Sequence, residues 1–181
     1  AAEGFPIIGP ASGHLLYLIG QMLGGQPAFD MGAGYGYSTA WLARAVQENG
    51  GGKVYHVVWD DGLSMRARDH LSTLGYEETV EYRVGEATEV LRATPGPFDF
   101  IFSDMDKEHY PDALPIVAEK LRPGGVFVID NMLWGGKIFD KSDQSPATNG
   151  IREFTRLIAG DDGWVTSLVP IRDGLIVACR R

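Results

Sequence analysis

The sequence predicts an α/β fold in which a mostly parallel sheet carries helices on both faces and ends in an antiparallel pair of strands. Short apolar runs rich in β-branched residues alternate with segments of helical periodicity, which is typical of βαβ units. Near the C-terminus two such runs flank the turn-like tetrapeptide IRDG (171–174), which indicates an antiparallel pair at the sheet edge. With 181 residues, 44% of them hydrophobic, the chain is expected to form a single domain spanning 1–181.

The first predicted element is an amphipathic helix at about 9–24, followed by a core at about 27–181. Apolar residues recur in the helix at spacings of three and four, and Gly24 and Pro27 end it. These residues are Leu15, Leu16, Leu18, Ile19, Met22 and Leu23.

The core is predicted to alternate between strands and helices. Predicted strands lie at 28–31, 54–59, 79–84, 98–103, 125–129, 165–169 and 175–179. Predicted helices lie at 38–47, 63–74, a short segment near 89, 112–121 and 151–158.

Composition excludes several classes of function. The formal charge is −8 and the chain has no cluster of Lys and Arg, so nucleic acid is not expected as a partner. No apolar run reaches the roughly 18 residues that a membrane span needs, so no membrane partner is expected. Cys179 is the only cysteine, which makes an intrachain disulfide impossible and favours a cytoplasmic location. Its expected role is that of a small apolar residue in the last strand.

Four acids lie at or just after the C-terminal ends of four different predicted strands. In open α/β sheets ligands bind outside these ends, so the acids suggest a site for hydroxyls, amines or a cation. The alternative for each acid is that it caps the next helix or begins a turn. The four acids are Asp30, Asp60, Asp104 and Asp130, and Asn131 and Lys107 lie close to the last two in sequence.

A glycine-rich segment, DMGAGYGYS (30–38), leaves the first strand of the sheet and enters a helix. Glycines at such a junction let the backbone turn tightly and approach a ligand. A dinucleotide fingerprint needs a small residue at the position of Tyr37, so the spacing disfavours a dehydrogenase. A purely structural turn remains the alternative.

These segments resemble the cation-dependent O-methyltransferases that use S-adenosylmethionine, a family that includes catechol and caffeoyl-coenzyme A O-methyltransferases. The similarity runs from about Ile7 to the end of the chain. DMGAGYGYS is similar to the family's first cofactor motif, SDMDK to its D-x-D-K or D-x-x-K motif, and IDNMLWGG to its D-N-x-L-W segment. The resemblance implies a Rossmann-like class I methyltransferase fold, a small aromatic acceptor and a homodimer.

The resemblance also implies a metal site and a general base. Asp104, Asp130 and Asn131 would bind Mg²⁺ or another divalent cation, and Lys107 would be the base, so that Asp104 and Lys107 form the catalytic pair. Carboxylate and amide oxygens suit Mg²⁺, which keeps positions for water and for two adjacent substrate oxygens. A phenol has a pKa of about 10, which a bound cation lowers.

The cofactor contacts implied by the resemblance are spread along the chain. The methionine part of S-adenosylmethionine would meet Gly32 and Ser38, its ammonium Asp30, and its adenine Ala87, while Met105 would pack against the cofactor. The full cofactor-binding set is Asp30, Gly32, Gly34, Gly36, Ser38, Asp60, Ala87, Asp104 and Met105.

Two aromatic side chains are candidates for the acceptor side. Trp134 resembles a substrate-wall tryptophan of the family, with plain packing as the alternative. His109 could orient the substrate or could be an exposed loop residue without a role.

One position departs from the family's pattern. The acid that binds the cofactor ribose, at the end of the second strand, falls on Val58, which cannot accept hydrogen bonds from hydroxyls. Asp60 or Asp61 could replace it, or the cofactor could be held less tightly. The sequence therefore favours a Mg²⁺-dependent O-methyltransferase acting on a catechol-like or hydroxycinnamoyl-like acceptor. The rival is a binding module that keeps the fold but has weakened cofactor use.

Overall fold

The computed structural model describes residues 6–24 and 27–181, so the first five residues of the predicted domain and 25–26 lie outside the described residues. Within these two ranges, one seven-stranded sheet has the order β3-β2-β1-β4-β5-β7-β6. The strands are β1 (Ala28–Met31), β2 (Val54–Val58), β3 (Val80–Val84), β4 (Phe98–Ser103), β5 (Leu121–Ile129), β6 (Trp164–Val169) and β7 (Leu175–Arg180). The first five strands run parallel, and β7 pairs antiparallel with both β5 and β6. The predicted fold class is therefore confirmed.

Six α-helices within the described residues surround the sheet. They are α1 (Gly9–Leu23), α2 (Tyr37–Glu48), α3 (Asp61–Thr73), α4 (Ala87–Ala93), α5 (Tyr110–Lys120) and α6 (Pro146–Ala159). Two short 3₁₀ segments, Lys107–His109 and Trp134–Phe139, follow β4 and β5 and were not predicted. None of the helices within the described ranges combines the length and apolar character required to cross a bilayer.

The core has two layers because neighbouring strand residues point to opposite faces. On one face Phe29, Ile101 and Phe127 pack against apolar residues of α4, α5 and α6. On the other face Phe100 and Phe102 pack against residues of α1, α2 and α3. Helices thus cover both sides of the parallel strands, which explains why those strands are apolar at nearly every position.

Five strands differ from the prediction at one boundary, and β3 and β6 differ only by one residue at their starts. Strand β5 begins at Leu121 rather than at 125, because Leu121 already pairs with Phe98 across a register shift. Strand β2 ends at Val58, one residue before the predicted end, and Trp59 lies outside it with 77% of its surface exposed. Strand β7 continues to Arg180, and Cys179 within it is only partly buried.

Candidate active site

A cavity of about 1070 Å³ opens at the C-terminal ends of the parallel strands. Strand β1 has β2 on one side and β4 on the other, so the strand order reverses there. Such a switch point leaves a crevice in which ligands of open α/β sheets bind. The cavity is lined at this point by the loop after β1 and by the residues that follow β4 and β5.

The three predicted metal ligands line this cavity together. Asp104 directly follows β4, and Asp130 and Asn131 directly follow the neighbouring β5. Asp130 is 4% exposed, and burial, together with the negative charge of Asp104, raises its pKa to about 6. A bound cation would stabilise the charge of Asp130, which burial and the neighbouring carboxylate disfavour.

The amide of Asn131 has a geometry that suits a ligand role. Its backbone lies at φ 60°, a left-handed conformation that Asn tolerates better than most residues. Its backbone N–H donates to Asp130 Oδ1 at 2.8 Å, and its side-chain nitrogen donates to Asp173 Oδ2 at 3.3 Å. The amide oxygen of Asn131 is therefore the atom available to a cation.

The donor set fits a hard divalent cation that keeps part of its water shell. Within residues 6–24 and 27–181 no group of three or more His, Cys, Asp or Glu side chains is placed to hold a metal. The set described here has two carboxylates and one amide, and Mg²⁺ is commonly held by one or two carboxylates with water and substrate oxygens completing the shell.

Lys107 lies beside the same carboxylates. Its Nζ donates to Asp104 Oδ1 at 2.7 Å and to the carbonyl oxygen of Met105 at 3.0 Å. The side chain of Lys107 is 10% exposed, and its Nζ lies 5.9 Å from the centre of the Trp134 ring. The amine of Lys107 thus lies between the carboxylate of Asp104 and the ring of Trp134.

The glycine loop forms the other end of the cavity. Gly32, Gly34 and Ser38 line it, and so do Ala87 and Met105. A Cβ on Gly32 would lie 2.6 Å from the carbonyl oxygen of Asp104, and its φ is 83°. Glycine is therefore required here because the loop after β1 touches the end of β4.

Behind this loop lies a buried chain of hydrogen bonds. Ser38 Oγ and Thr39 Oγ1 donate to Asp30 Oδ2 at 2.8 and 2.6 Å. The proton of Thr39 is thereby used, so the 2.9 Å contact between Thr39 Oγ1 and His56 Nδ1 has His56 as donor. Burial raises the pKa of Asp30 to about 7 and lowers that of His56 to about 4.

Three residues predicted to bind the cofactor do not line the cavity. Asp30 is fully buried and reaches the cavity only through Ser38. Gly36 begins α2 with φ 85°, and a Cβ there would meet Leu71 at 2.9 Å, which is a packing requirement. Asp60 caps α3 by accepting the N–H of Leu63 at 2.8 Å.

The end of β2 presents apolar groups to the cavity. Val58 and Trp59 both line it, whereas Asp60 and Asp61 do not. Glu86 is the acid that lines the cavity nearby, but its carboxylate caps α4 by accepting the N–H groups of Thr88 and Glu89. Among residues 6–24 and 27–181, no acid at the end of β2 lines the cavity.

Trp134 and His109 both line the cavity on the side of Lys107. Trp134 is partly buried and has φ 48° at the start of its 3₁₀ segment, so its ring is presented by an unusual backbone conformation. His109 is exposed at the cavity mouth.

Arg172 and Asp173 are among the cavity-lining residues that sequence reasoning missed. Both lie in the IRDG turn and line the cavity. Asp173 Oδ1 accepts the N–H of Gly135 at 2.6 Å, and Asp173 Oδ2 accepts the side chain of Asn131. The antiparallel strand pair could have revealed these two residues. Because β7 runs antiparallel to β5, the turn that precedes β7 must lie at the C-terminal end of β5.

Comparison with known proteins finds relatives that match nearly the whole chain in sequence and in structure. A family model described as O-methyltransferase matches residues 6–181. A catechol O-methyltransferase of Niastella koreensis is 30% identical over 189 residues, covering 98% of this chain and 85% of that protein. The structure of an O-methyltransferase from Bacillus cereus with S-adenosylhomocysteine superposes with a TM-score of 0.92 at 30% identity, covering 99% of this chain and 86% of that one. An O-methyltransferase from Streptomyces achromogenes involved in tomaymycin synthesis, solved with S-adenosylmethionine, gives a TM-score of 0.88 at 27% identity, covering 96% and 81%.

Proposed function

Because the chain belongs to the O-methyltransferase family, we propose that it methylates a hydroxyl of a small catechol-like or hydroxycinnamoyl-like acceptor in a Mg²⁺-dependent reaction. The methyl donor is S-adenosylmethionine. The observation that carries the proposal is the convergence of Asp104, Asp130, Asn131 and Lys107 on the cavity that the glycine loop also lines.

The bound groups supply the chemistry that side chains lack: the cofactor carries a methyl group on a sulfonium, and the cation lowers the pKa of an acceptor hydroxyl. Asp104, Asp130 and Asn131 would hold the cation. Lys107 Nζ, when neutral, would accept the hydroxyl proton, since it lies at the carboxylates and faces the cavity. Gly32, Gly34 and Ser38 would hold the methionine part of the cofactor.

A two-oxygen acceptor follows from the small number of protein ligands. Three protein oxygens leave several positions of an octahedral cation for other ligands. Two vicinal hydroxyls can occupy adjacent positions, and a catechol, the substrate for which the Niastella koreensis relative is named, carries such a pair. The Trp134 ring beside Lys107 suits a flat aromatic acceptor.

The rival proposal is a binding module with weakened cofactor use, motivated by Val58 and the capping role of Asp60. The position of Lys107 against Asp104 favours the enzyme, because ligand binding alone does not require a base at the carboxylates. The resemblance also implies a homodimer. This stays a prediction, which sedimentation analysis of the oligomeric state would test.

An acceptor screen with S-adenosylmethionine labelled in the methyl group tests the proposal. Catechols and hydroxycinnamates should become labelled in Mg²⁺ and should remain unlabelled in chelator. Cofactor binding without transfer to any hydroxylated aromatic compound would support the binding module instead.

A further inference from the structure

We propose that Arg172 recognises an anionic group on the acceptor, so that the preferred substrates are catechols that carry a carboxylate. This inference rests on the proposed function and narrows its substrate class. The residue stands at the acceptor end of the cavity, which it lines together with Asp130, Asn131 and Trp134.

The backbone of Arg172 is held in a conformation that favours glycine. The N–H of Gly174 donates to the carbonyl of Ile171 at 2.9 Å, which closes a four-residue turn. Arg172, the first central residue, has φ 54°, and Asp173, the second, is not among the residues with positive φ. A positive φ at the first central residue alone is the φ pattern of a type II′ turn, whose first central position usually holds Gly. Unfavourable backbone conformations of this kind cluster at functional sites.

The turn is fixed to the predicted metal site at several points. Asp173 accepts hydrogen bonds from Asn131 and from Gly135 through its carboxylate. The carbonyl of Asp173 accepts the N–H of Leu133 at 2.8 Å. These bonds hold the backbone of Arg172 against the segment that follows β5, and Arg172 lines the same cavity as Asp104 and Asp130.

Among the described residues, Arg172 has no carboxylate partner. In the ranges that the structure describes, its one hydrogen bond goes to the carbonyl of Ile7, and it forms no ion pair. Arg92 and Arg156, by contrast, each pair with a glutamate three residues earlier. A guanidinium has five N–H donors in a planar fork, so donors remain for a planar anion such as a carboxylate.

The positive charge of Arg172 lies in a strongly acidic surrounding. The chain has a formal charge of −8, and the cavity is lined by Glu86, Asp106, Glu108 and Asp173 besides the predicted metal ligands. An exposed cation at the mouth of an acidic cavity can admit an anionic acceptor that the acids alone would repel.

A structural role is the rival explanation. Arg172 contacts the N-terminal segment through Ile7, and a Cβ on Gly9 would lie 2.9 Å from its Nη1. If Arg172 only ties this segment down, its loss should affect charged and neutral acceptors equally.

The test compares each acid with its neutral ester. Protocatechuate and caffeate, and the methyl ester of each, would be assayed with labelled S-adenosylmethionine on the parent and on Arg172→Gly, Arg172→Gln and Arg172→Lys. Glycine suits the turn and removes the charge, glutamine removes the charge but keeps a long polar side chain, and lysine keeps the charge. The ratio of kcat/KM for acid over ester should fall by about tenfold or more in the Gly and Gln variants, the scale of a charge-assisted hydrogen bond. Arg172→Lys should keep most of the preference.

Calorimetry provides a readout without turnover. Binding of each acid and ester would be titrated into protein saturated with S-adenosylhomocysteine and Mg²⁺, and thermal melting would verify that each variant is folded. A preference for the acids in the parent that the Gly and Gln variants lose supports the proposal. It is overturned if the parent binds acid and ester equally, if it binds neither, or if the ratio is unchanged in the variants. Failure of all catechols to be methylated, with the binding preference intact, would instead refute the proposed reaction.

Discussion

The Nζ of Lys107 lies 2.7 Å from Oδ1 of Asp104, three residues earlier in the chain. The two side chains are 10% and 28% exposed, so the pair is largely shielded from solvent. In this arrangement the lysine and a cation would compete for the same carboxylate. Filling the metal site should therefore weaken the hold of Asp104 on the amine and leave Lys107 free to face the acceptor.

Lys107→Ala is expected to lower kcat by roughly 10²-fold or more, the usual size of a general-base contribution. Affinity for S-adenosylhomocysteine, measured by calorimetry, should change little. Lys107→Arg is the matched control, because arginine keeps the positive charge but cannot lose its proton. An arginine variant as active as the parent would show that only the charge matters and would remove the base role.

Asp130→Ala is expected to abolish Mg²⁺-dependent turnover because it removes one of two carboxylates from the predicted cation site. Mg²⁺ titration followed by calorimetry should show the loss of binding, and circular dichroism should show an intact fold. Asp106→Asn serves as control, since Asp106 lines the same cavity but is exposed and is not a predicted ligand. Full activity of the parent in EDTA would contradict the metal site.

Catechols are expected to be methylated much faster than monophenols of the same size. Two vicinal oxygens can take adjacent positions on one cation, whereas a single hydroxyl takes one. Initial rates with catechol and with phenol, at saturating S-adenosylmethionine, check this directly. Equal rates would indicate that the acceptor does not chelate the cation.

Val58→Glu is expected to tighten binding of S-adenosylmethionine. A carboxylate at the end of β2 could accept from the ribose hydroxyls, and each such bond is worth about 1.5–3 kcal/mol, or roughly 10- to 150-fold in affinity. A cofactor analogue without these hydroxyls should show a smaller gain.

Asp60 provides the control for the Val58 prediction. Asp60→Asn removes the charge but retains a side chain that caps helix α3 well. Its affinity for the cofactor should match that of the parent. Weaker binding by Asp60→Asn, together with weaker binding by Val58→Glu, would show that Asp60 already holds the ribose.

Asp30→Asn is expected to stabilise the protein increasingly as the pH rises from about 5 to about 7. The folded pKa of Asp30, about 7, lies above its ordinary value of 3.8, so the folded parent binds the proton more tightly and loses stability over this range. The free energy of unfolding of the variant relative to the parent should rise by at most about 1.4 kcal/mol per pH unit. Urea denaturation at several pH values measures this difference.

The variant must be compared with the parent at each pH because His56 also makes stability depend on pH. Burial lowers the pKa of His56 to about 4. Its contribution to stability is therefore lost as the pH falls below about 6.5, which is opposite in sign to that of Asp30. Subtracting the parent's free energy of unfolding from that of the variant cancels the contribution of His56. A difference that does not vary with pH would show that Asp30 is already ionised in the acidic range.

Local patterns predicted most of the fold because the βαβ periodicity is a property of neighbouring residues. The strand 98–103 and the acids after it were recognisable, since a buried run that ends in charge marks the carboxyl edge of a sheet. Asp60 shows the limit of such reasoning. An acid after a strand can face a ligand or cap a helix, and only the structure shows that Asp60 caps α3 by accepting the N–H of Leu63.

The contacts that sequence reasoning missed are long-range. Asp173 meets Asn131 across 42 residues, and Thr39 meets His56 across 17, so neither pair shares a local motif. The start of β5 at Leu121 was missed for the same reason, because its pairing with Phe98 depends on a register shift in another strand.

Trp59 and Trp134 are placed so that intrinsic tryptophan fluorescence should report ligand binding. Trp59 lines the cavity at the end of β2 and is 77% exposed, whereas Trp134 lines it beside Lys107. A nucleoside covering the first indole and an aromatic ring meeting the second would perturb two separate emitters. In variants that retain only one of the two, fluorescence would distinguish the arrival of donor from that of acceptor, and rapid mixing would reveal which of them enters first.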